Sequence, residues 1–409
     1  MSTTEAEAAP AFDTGIPVES LGTRVWENIK GGNLGSLPVA VGLTVIVILF
    51  ALTAQNFFTA VNFNNIIVQM SGTTMLAYGV VYVLLLGEID LSIAFLSGIV
   101  GVACAKFQES GTGHSLPGIL PIVAALLIGV LIGAFQGSFV ALIGVPSFVV
   151  TLAGLLAWQG FVQREIGAAG PIIIQNHWIN DTASYFFTPN KGWVIWGLLS
   201  LAYVGSTVFG LVGKRRHGVS IQYPYLVGAK LVAIPGVAAL VIAICNHDRG
   251  VPLAGIIILF FLLLWTYVAK RTTFGRHVYA VGGNAEAARR AGINVPRIRI
   301  MVFMISGLMA GVGGIILAGN LRSVGPDQGG GTLLLDSISA AVIGGTSLFG
   351  GRGEIRAAVL GSAVIATIAN GLFILGYQPG TIFIITGCIL LFAVTLDTLA
   401  RRRQQKTGR

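Results

Sequence analysis

Pro252-Leu253-Ala254-Gly255-Ile256-Ile257-Ile258-Leu259-Phe260-Phe261-Leu262-Leu263-Leu264-Trp265-Thr266-Tyr267-Val268-Ala269 contains no charge, and Lys270-Arg271 closes it. A helix rises about 1.5 Å per residue, so a run of this length covers most of the ~30 Å hydrocarbon layer of a bilayer. Basic residues collect on the cytoplasmic side of such spans. The segment is expected to cross a membrane and to leave the chain inside.

The pattern recurs along the chain. Apolar candidates lie at 38–54, 65–86, 91–106, 118–143, 147–163, 192–213, 224–245, 252–269, 300–318, 336–350, 356–375 and 380–399, about twelve spans. Composition agrees, since 54% of the 409 residues are hydrophobic and only 10% are charged, against about 25% charge in soluble domains. With a mean hydropathy of +0.83, too little polar surface remains to cover one water-facing globule. A cytosolic enzyme and a disordered chain are excluded. The 56 glycines suit close helix packing in lipid. An all-α polytopic membrane protein is expected.

The formal charge of +9 resembles a nucleic-acid signal only until the cations are placed. With a cytoplasmic N-terminus and twelve spans, 19 of the 25 basic residues fall in inner segments and five in outer ones. Lys230 lies inside a span, where it snorkels toward the inner surface. The positive-inside rule therefore favours both termini inside. The chain divides into an inner N-terminal segment (1–36), a first membrane half (37–163), and an outer loop with a helix pair (164–250). A second half (251–399) holds the long inner loop 270–299, and a basic tail (400–409) follows. Acidic residues precede the first apolar run, so that run is expected to act as an uncleaved insertion signal.

An internal echo is present. Gln136-Gly137 leads to Gly144, Pro146 and Phe148-Val149-Val150, and Asn370-Gly371 leads to Gly376, Pro379 and Ile382-Phe383-Ile384. The two stretches run in opposite directions across the proposed membrane. An inverted repeat explains this, and so does chance likeness between two apolar Gly/Pro segments.

Several chemistries are missing. No GxxxxGK[ST] loop, HExxH pair or nucleophile elbow with acid and base partners occurs. Cys104, Cys245 and Cys388 are far apart in sequence and form no metal-ligand spacing. All five histidines fall in loops, and the acidic residues nearest the spans (Glu88, Asp90, Asp336, Asp397) lie at span ends. Proton-coupled carriers place ionisable groups at mid-membrane, so an energy source on another polypeptide is expected. The chain is expected to bind no metal or cofactor.

The loop 270–299 is the most specific feature. Thr273-Phe274-Gly275-Arg276 leads to Gly282-Gly283-Asn284, then Glu286-Ala287-Ala288-Arg289-Arg290 and Gly292-Ile293-Asn294. Asn284 is a natural N-cap, residues 285–291 a short helix, and Gly292 its stop. Alanines 285, 288 and 291 are expected to form a smooth face, with Arg289 and Arg290 as a charged rim. A small helix of this kind suits a groove on a soluble partner, and a solvated loop is the plainer alternative.

Glu286-Ala287-Ala288-x-x-x-Gly292 resembles the coupling element of ABC importer permeases. Gly282-Gly283-Asn284, Gly292-Ile293-Asn294-Val295 and Arg297-Ile298 resemble the ribose/xylose/arabinose branch more narrowly. Gly87-Glu88-Ile89-Asp90-Leu91-Ser92 is similar to that branch's G-x-x-D-L-S element, with Glu88 standing where a small residue is usual. Leu335-Asp336-Ser337 through Gly350-Gly351-Arg352-Gly353 resembles its glycine-rich signature. The likeness covers about 60–163 and 250–399. The pair 192–213 and 224–245 then reads as an insertion into a ten-helix core, which favours the longer xylose permeases.

The resemblance implies a permease subunit of an ATP-driven monosaccharide importer in a bacterial inner membrane. It implies two copies, a separate ATPase subunit that binds ATP and Mg, and a periplasmic sugar-binding protein. Other cargoes remain open, among them another sugar or a branched-chain amino acid, as does an autonomous secondary carrier. Gly282, Gly283, Asn284, Glu286, Ala287, Ala288, Arg289 and Gly292 are the candidate ATPase contacts. Gln69, Thr73, Asp90, Ser92, Gln136, Asp336, Thr346 and Asn370 are the candidates for the path. Asp90 and Asp336 each have two possible roles, capping the following helix or lining the path.

Overall fold

The computed structural model describes residues 37–109, 115–167, 170–217, 224–389, 391 and 395. The expected N-terminal segment, the basic tail and most of 390–399 lie outside the described residues. The chain is mostly helical, with α1 at Leu37–Thr53, α2 at Ala60–Leu85, α3 at Ile93–Gln108 and α4 at Leu120–Ser138. A π-turn at Phe139–Ile143 extends α4, and α5 follows at Ser147–Ile166.

Three short elements follow: β1 (Ile172–Ile173), α6 (His177–Ser184) and β2 (Phe186–Phe187). Next come α7 (Pro189–Arg216), α8 (Pro224–Asn246), β3 (Val251–Pro252), α9 (Leu253–Arg271), α10 (Thr273–Gly283) and α11 (Ala285–Arg290). The chain continues through α12 (Val295–Leu321), β4 (Ser323–Val324), α13 (Leu333–Ile343), α14 (Arg356–Ile374) and α15 (Pro379–Ile389). β1 pairs antiparallel with β4, and β2 with β3.

Each of the twelve expected spans contains a helix, with the last described only in part. Among the described residues, seven helices are long and apolar enough to cross a membrane, and four shorter ones (α1, α3, α13, α15) are apolar. The expected span 336–350 is corrected: α13 stops at Ile343, where Gly344 packs on the Ala357 carbonyl and Gly345 takes φ +102°. No side chain fits either requirement easily.

Burial separates centre from periphery. The apolar windows of α2 and α12 are 72% and 61% buried, whereas those of α7 and α8 are 0% and 6% buried. Glycines explain why α12 can sit so deep. Gly307 packs on the Gly129 carbonyl of α4, Gly133 on the Phe303 carbonyl, and Gly314 on the Ser97 carbonyl of α3. Each is a backbone approach that a Cβ would block. α12 thus lies against α3 and α4, while α2 lies against α13 and α14. Each long central helix packs on the short helix and following span of the opposite half.

The two echo stretches share their backbone form. Gly144 at φ +85° ends one helix and precedes Pro146, and Gly376 at φ +80° does the same before Pro379. The short segment around α6 packs on the bundle, with the Ile179 carbonyl pressed against Gly319 of α12. α7 and α8 form a peripheral pair, tied where the Trp196 indole N–H donates to the Pro235 carbonyl at 2.9 Å.

Candidate functional site

The segment 270–299 is built by capping. The Thr272 hydroxyl accepts from the Gly275 N–H at 3.2 Å, the Asn284 carboxamide oxygen from Ala287 N–H at 2.9 Å, and Asn294 from Arg297 N–H at 3.0 Å. Each oxygen satisfies a helix-start donor that would otherwise lack a partner. Gly292 at φ +84° ends α11, and Ile293 N–H closes on the Ala288 carbonyl at 3.0 Å. Glu286 pairs with Arg290 at 3.1 Å and Arg289 at 3.7 Å along the exposed side.

One expected feature is corrected. Ala288 is buried and Ala285 half-buried, while Ala291 is exposed, so two of the three alanines of that face pack inward on the protein. The exposed face carries Asn284, Glu286, Ala287, Arg289, Arg290 and Gly292. A helix of two turns offers either face to its own protein, and here the apolar one is consumed by the fold.

Gly282 and Gly283 fasten this segment to the bundle. Gly282 abuts the Leu85 carbonyl at the end of α2, and that carbonyl accepts from Gly351 N–H at 2.9 Å. Gly350, at φ +83°, lies against Gly87 and the Gly282 carbonyl, while Gly351 lies against Gly283. Three chain segments therefore meet backbone to backbone. The Tyr279 hydroxyl donates to the Gly353 carbonyl at 2.8 Å. Burial and then the Glu354 carboxylate push that phenol up, so it remains a donor.

The path candidates separate into groups. Asp90, Ser92 and Gln136 form one cluster: Ser92 Oγ donates to Asp90 Oδ1 at 2.7 Å, and Gln136 Nε2 donates to Ser92 Oγ at 2.9 Å. Asp90 Oδ1 also accepts from Ser92 N–H at 3.0 Å, so Asp90 caps the start of α3. Its second oxygen accepts from Ser306 Oγ at 2.7 Å. Ser306 lies near the middle of α12, so Asp90 stands deep in the bundle, although in sequence it stands at a span end. That corrects the expected placement of all carboxylates at span ends.

Asn370 and Gln69 form a second contact, with Asn370 Nδ2 donating to Gln69 Oε1 at 3.3 Å. Asp336 accepts from the Thr332 hydroxyl at 2.7 Å within the first turn of α13. Thr346 is buried, with no partner for its hydroxyl among the described residues, and Thr73 is half-buried in α2. These groups do not converge on the Asp90 cluster.

Sequence reading missed Ser306 and Trp158. Gly154, whose missing Cβ leaves room beside Gln136 and Trp158, positions the Trp158 indole N–H near the cluster. That N–H is buried without a partner among the described residues. Among the described residues no group of three His, Cys, Asp or Glu is placed to hold a metal ion.

A family model described as a branched-chain amino acid transport system / permease component matches residues 62–394. The chain is 34% identical over 385 residues to the xylose transport system permease protein of Escherichia coli strain K12, spanning 92% of this chain and 95% of that protein. The xylose transport system permease protein of Haemophilus influenzae is 32% identical over 386 residues, spanning 92% of this chain and 99% of that protein. The ribose import permease protein of Escherichia coli strain K12 is 31% identical over 361 residues, spanning 87% of this chain and 92% of that protein. No solved structure matches the chain.

Proposed function

The chain belongs to the branched-chain amino acid transport system / permease component family, and on that footing we propose that it is the membrane-spanning subunit of an ATP-driven importer of a monosaccharide, D-xylose first. The observation that carries the cargo is the 34% identity to a xylose transport system permease across 92% of the chain. The capped inner segment with its exposed Glu286, Arg289 and Arg290 supports a soluble ATPase as partner. Two copies of the chain form the path in the inner membrane, each on its own ATPase subunit, and a periplasmic binding protein delivers sugar to the outer face. ATP and Mg are held by the ATPase.

Twelve crossings with both ends inside fit the distribution of basic residues. The crossed packing of α2 and α12, with the matched Gly144/Gly376 stops, supports an inverted repeat. The peripheral α7–α8 pair is then an addition to a ten-helix core. The buried Asp90–Ser92–Gln136–Ser306 cluster brings carboxyl, hydroxyl and carboxamide groups together inside the bundle, the kinds of group that hydrogen-bond a neutral sugar. Trp158 adds an unused donor beside it.

Cargo is tested by uptake of radiolabelled xylose into vesicles holding this chain, its ATPase and the binding protein. Unlabelled xylose is expected to outcompete the label. Absence of ATP-dependent xylose uptake, with labelled leucine taken up in its place, would overturn the reading in favour of an amino acid cargo.

A further inference from the structure

Glu88, the acid at the position where a small residue is usual, has a specific partner. Its Oε1 lies 3.0 Å from Nε of Arg299 on α12, with the two side chains only 14% and 29% exposed. Two residues further on, Asp90 accepts from Ser306 of the same helix. Arg299 and Ser306 are seven positions apart, two helical turns, and so share one face of α12 about 10 Å apart along its axis. The turn 87–90 is therefore attached to α12 at two points by two acidic side chains.

The same turn is gripped from other sides. Ser147 accepts from Ile89 N–H at 3.1 Å, and the Thr151 hydroxyl donates to the Ile89 carbonyl at 3.2 Å, both from α5. The glycine junction of Leu85, Gly282 and Gly351 holds its beginning against the end of α10. Arg299 also has a particular place in the chain: only a short link, Ala291–Asn294, separates α11 from the helix that carries it. A push on α11 reaches the turn by two routes, through Gly282 behind it and through the base of α12 beside it.

We propose that Glu88 and Arg299 are a positioning pair for transport: their ion pair fastens the Asp90 turn to the base of α12, so that displacement of α11 carries turn and helix together. The pair touches no substrate and acts through Asp90. A charge pair this far from solvent is little screened, and losing one member leaves the other poorly compensated. This inference rests on the permease reading given above.

The test reconstitutes the chain with its ATPase and binding protein and reads sugar uptake and ATP hydrolysis in the same vesicles. Glu88→Gln and Arg299→Gln nearly preserve shape and remove the charge. Each is expected to retain the ATPase and its basal hydrolysis while lowering sugar moved per ATP about tenfold. The charge swap Glu88→Arg with Arg299→Glu is expected to recover most of that ratio. Unchanged transport per ATP in both single variants, or a swap that assembles and is no better than either, overturns the inference. A wild-type chain that moves no sugar with ATP overturns the permease reading, and this inference with it.

Discussion

The hydroxyl of Ser306 donates to the carboxyl of Asp90 at 2.7 Å, joining residues 216 positions apart in the chain. The bond links the turn before α3 to the middle of α12, and through Ser92 and Gln136 it reaches α4. One serine in the apolar middle of α12 thus anchors a polar cluster inside the bundle.

Ser306→Ala is expected to destabilise the protein by roughly 1–3 kcal/mol, the cost of leaving a buried acceptor short of a donor. Unfolding midpoints in detergent micelles check this. Asp90→Ala is expected to insert normally and to lower uptake more than tenfold, because it releases Ser92 and Ser306 together.

Glycine substitutions separate the core from the periphery. Gly307→Val places its side chain on the Gly129 backbone, so the α4–α12 contact is expected to open and yield of folded protein to collapse. Gly210→Ala in α7 meets nothing within 4 Å. It is expected to leave uptake unchanged and to hold or raise stability, since alanine is the better helix former by about 1 kcal/mol. Fluorescence size-exclusion profiles of the two variants distinguish them.

The loop after α8 has its own acid dependence. Burial pushes the Asp248 carboxyl up, but hydrogen bonds from Asn64 and Arg249 outweigh it and hold the group below the usual carboxylate range. A lowered folded pKa contributes stability that is present above the unfolded pKa and is lost as pH falls through the folded one. Stability from this contact is expected to be constant from neutral pH down to the ordinary aspartate range and to fall below it. Asn64→Ala is expected to lower stability at neutral pH and to make that acid-dependent loss smaller, read from melting curves between neutral pH and pH 3.

Much of this organisation is legible from residue order. The short helix α11 is readable because Asn284 and Gly292 have single-residue jobs, a cap and a left-handed stop. The echo of Gly144–Pro146 in Gly376–Pro379 is readable because glycine and proline punctuate helices whatever surrounds them. Three things are not. Ser306 is one hydroxyl among apolar neighbours, and its partner is distant in sequence. The depth of Asp90 depends on how far a turn between two helices dips into the bundle, which span boundaries do not encode. The inward direction of Ala288 depends on packing, because a six-residue helix carries too few positions to define a buried side. The fold of 164–191 escapes a reading tuned to long apolar runs, since α6 is short and half polar.

Gly292→Leu tests the 284–292 segment without crowding it, because nothing lies within 4 Å of a Cβ there. The cost is conformational, about 1–2 kcal/mol for a branched residue at φ +84°. α11 is expected to lose its stop, and co-purification of the ATPase to fall sharply at unchanged membrane insertion. Glu286→Trp is expected to do the same by placing bulk on the exposed face.

The most direct measurement asks what drives the transport. Purified chain is placed in liposomes with and without its ATPase, with sugar-loaded binding protein outside, and xylose entry is followed with ATP or with an imposed proton or sodium gradient. The account predicts entry only when ATPase and ATP are both present, and none from either gradient. Gradient-driven entry by the chain alone would contradict it and would make the protein an autonomous carrier.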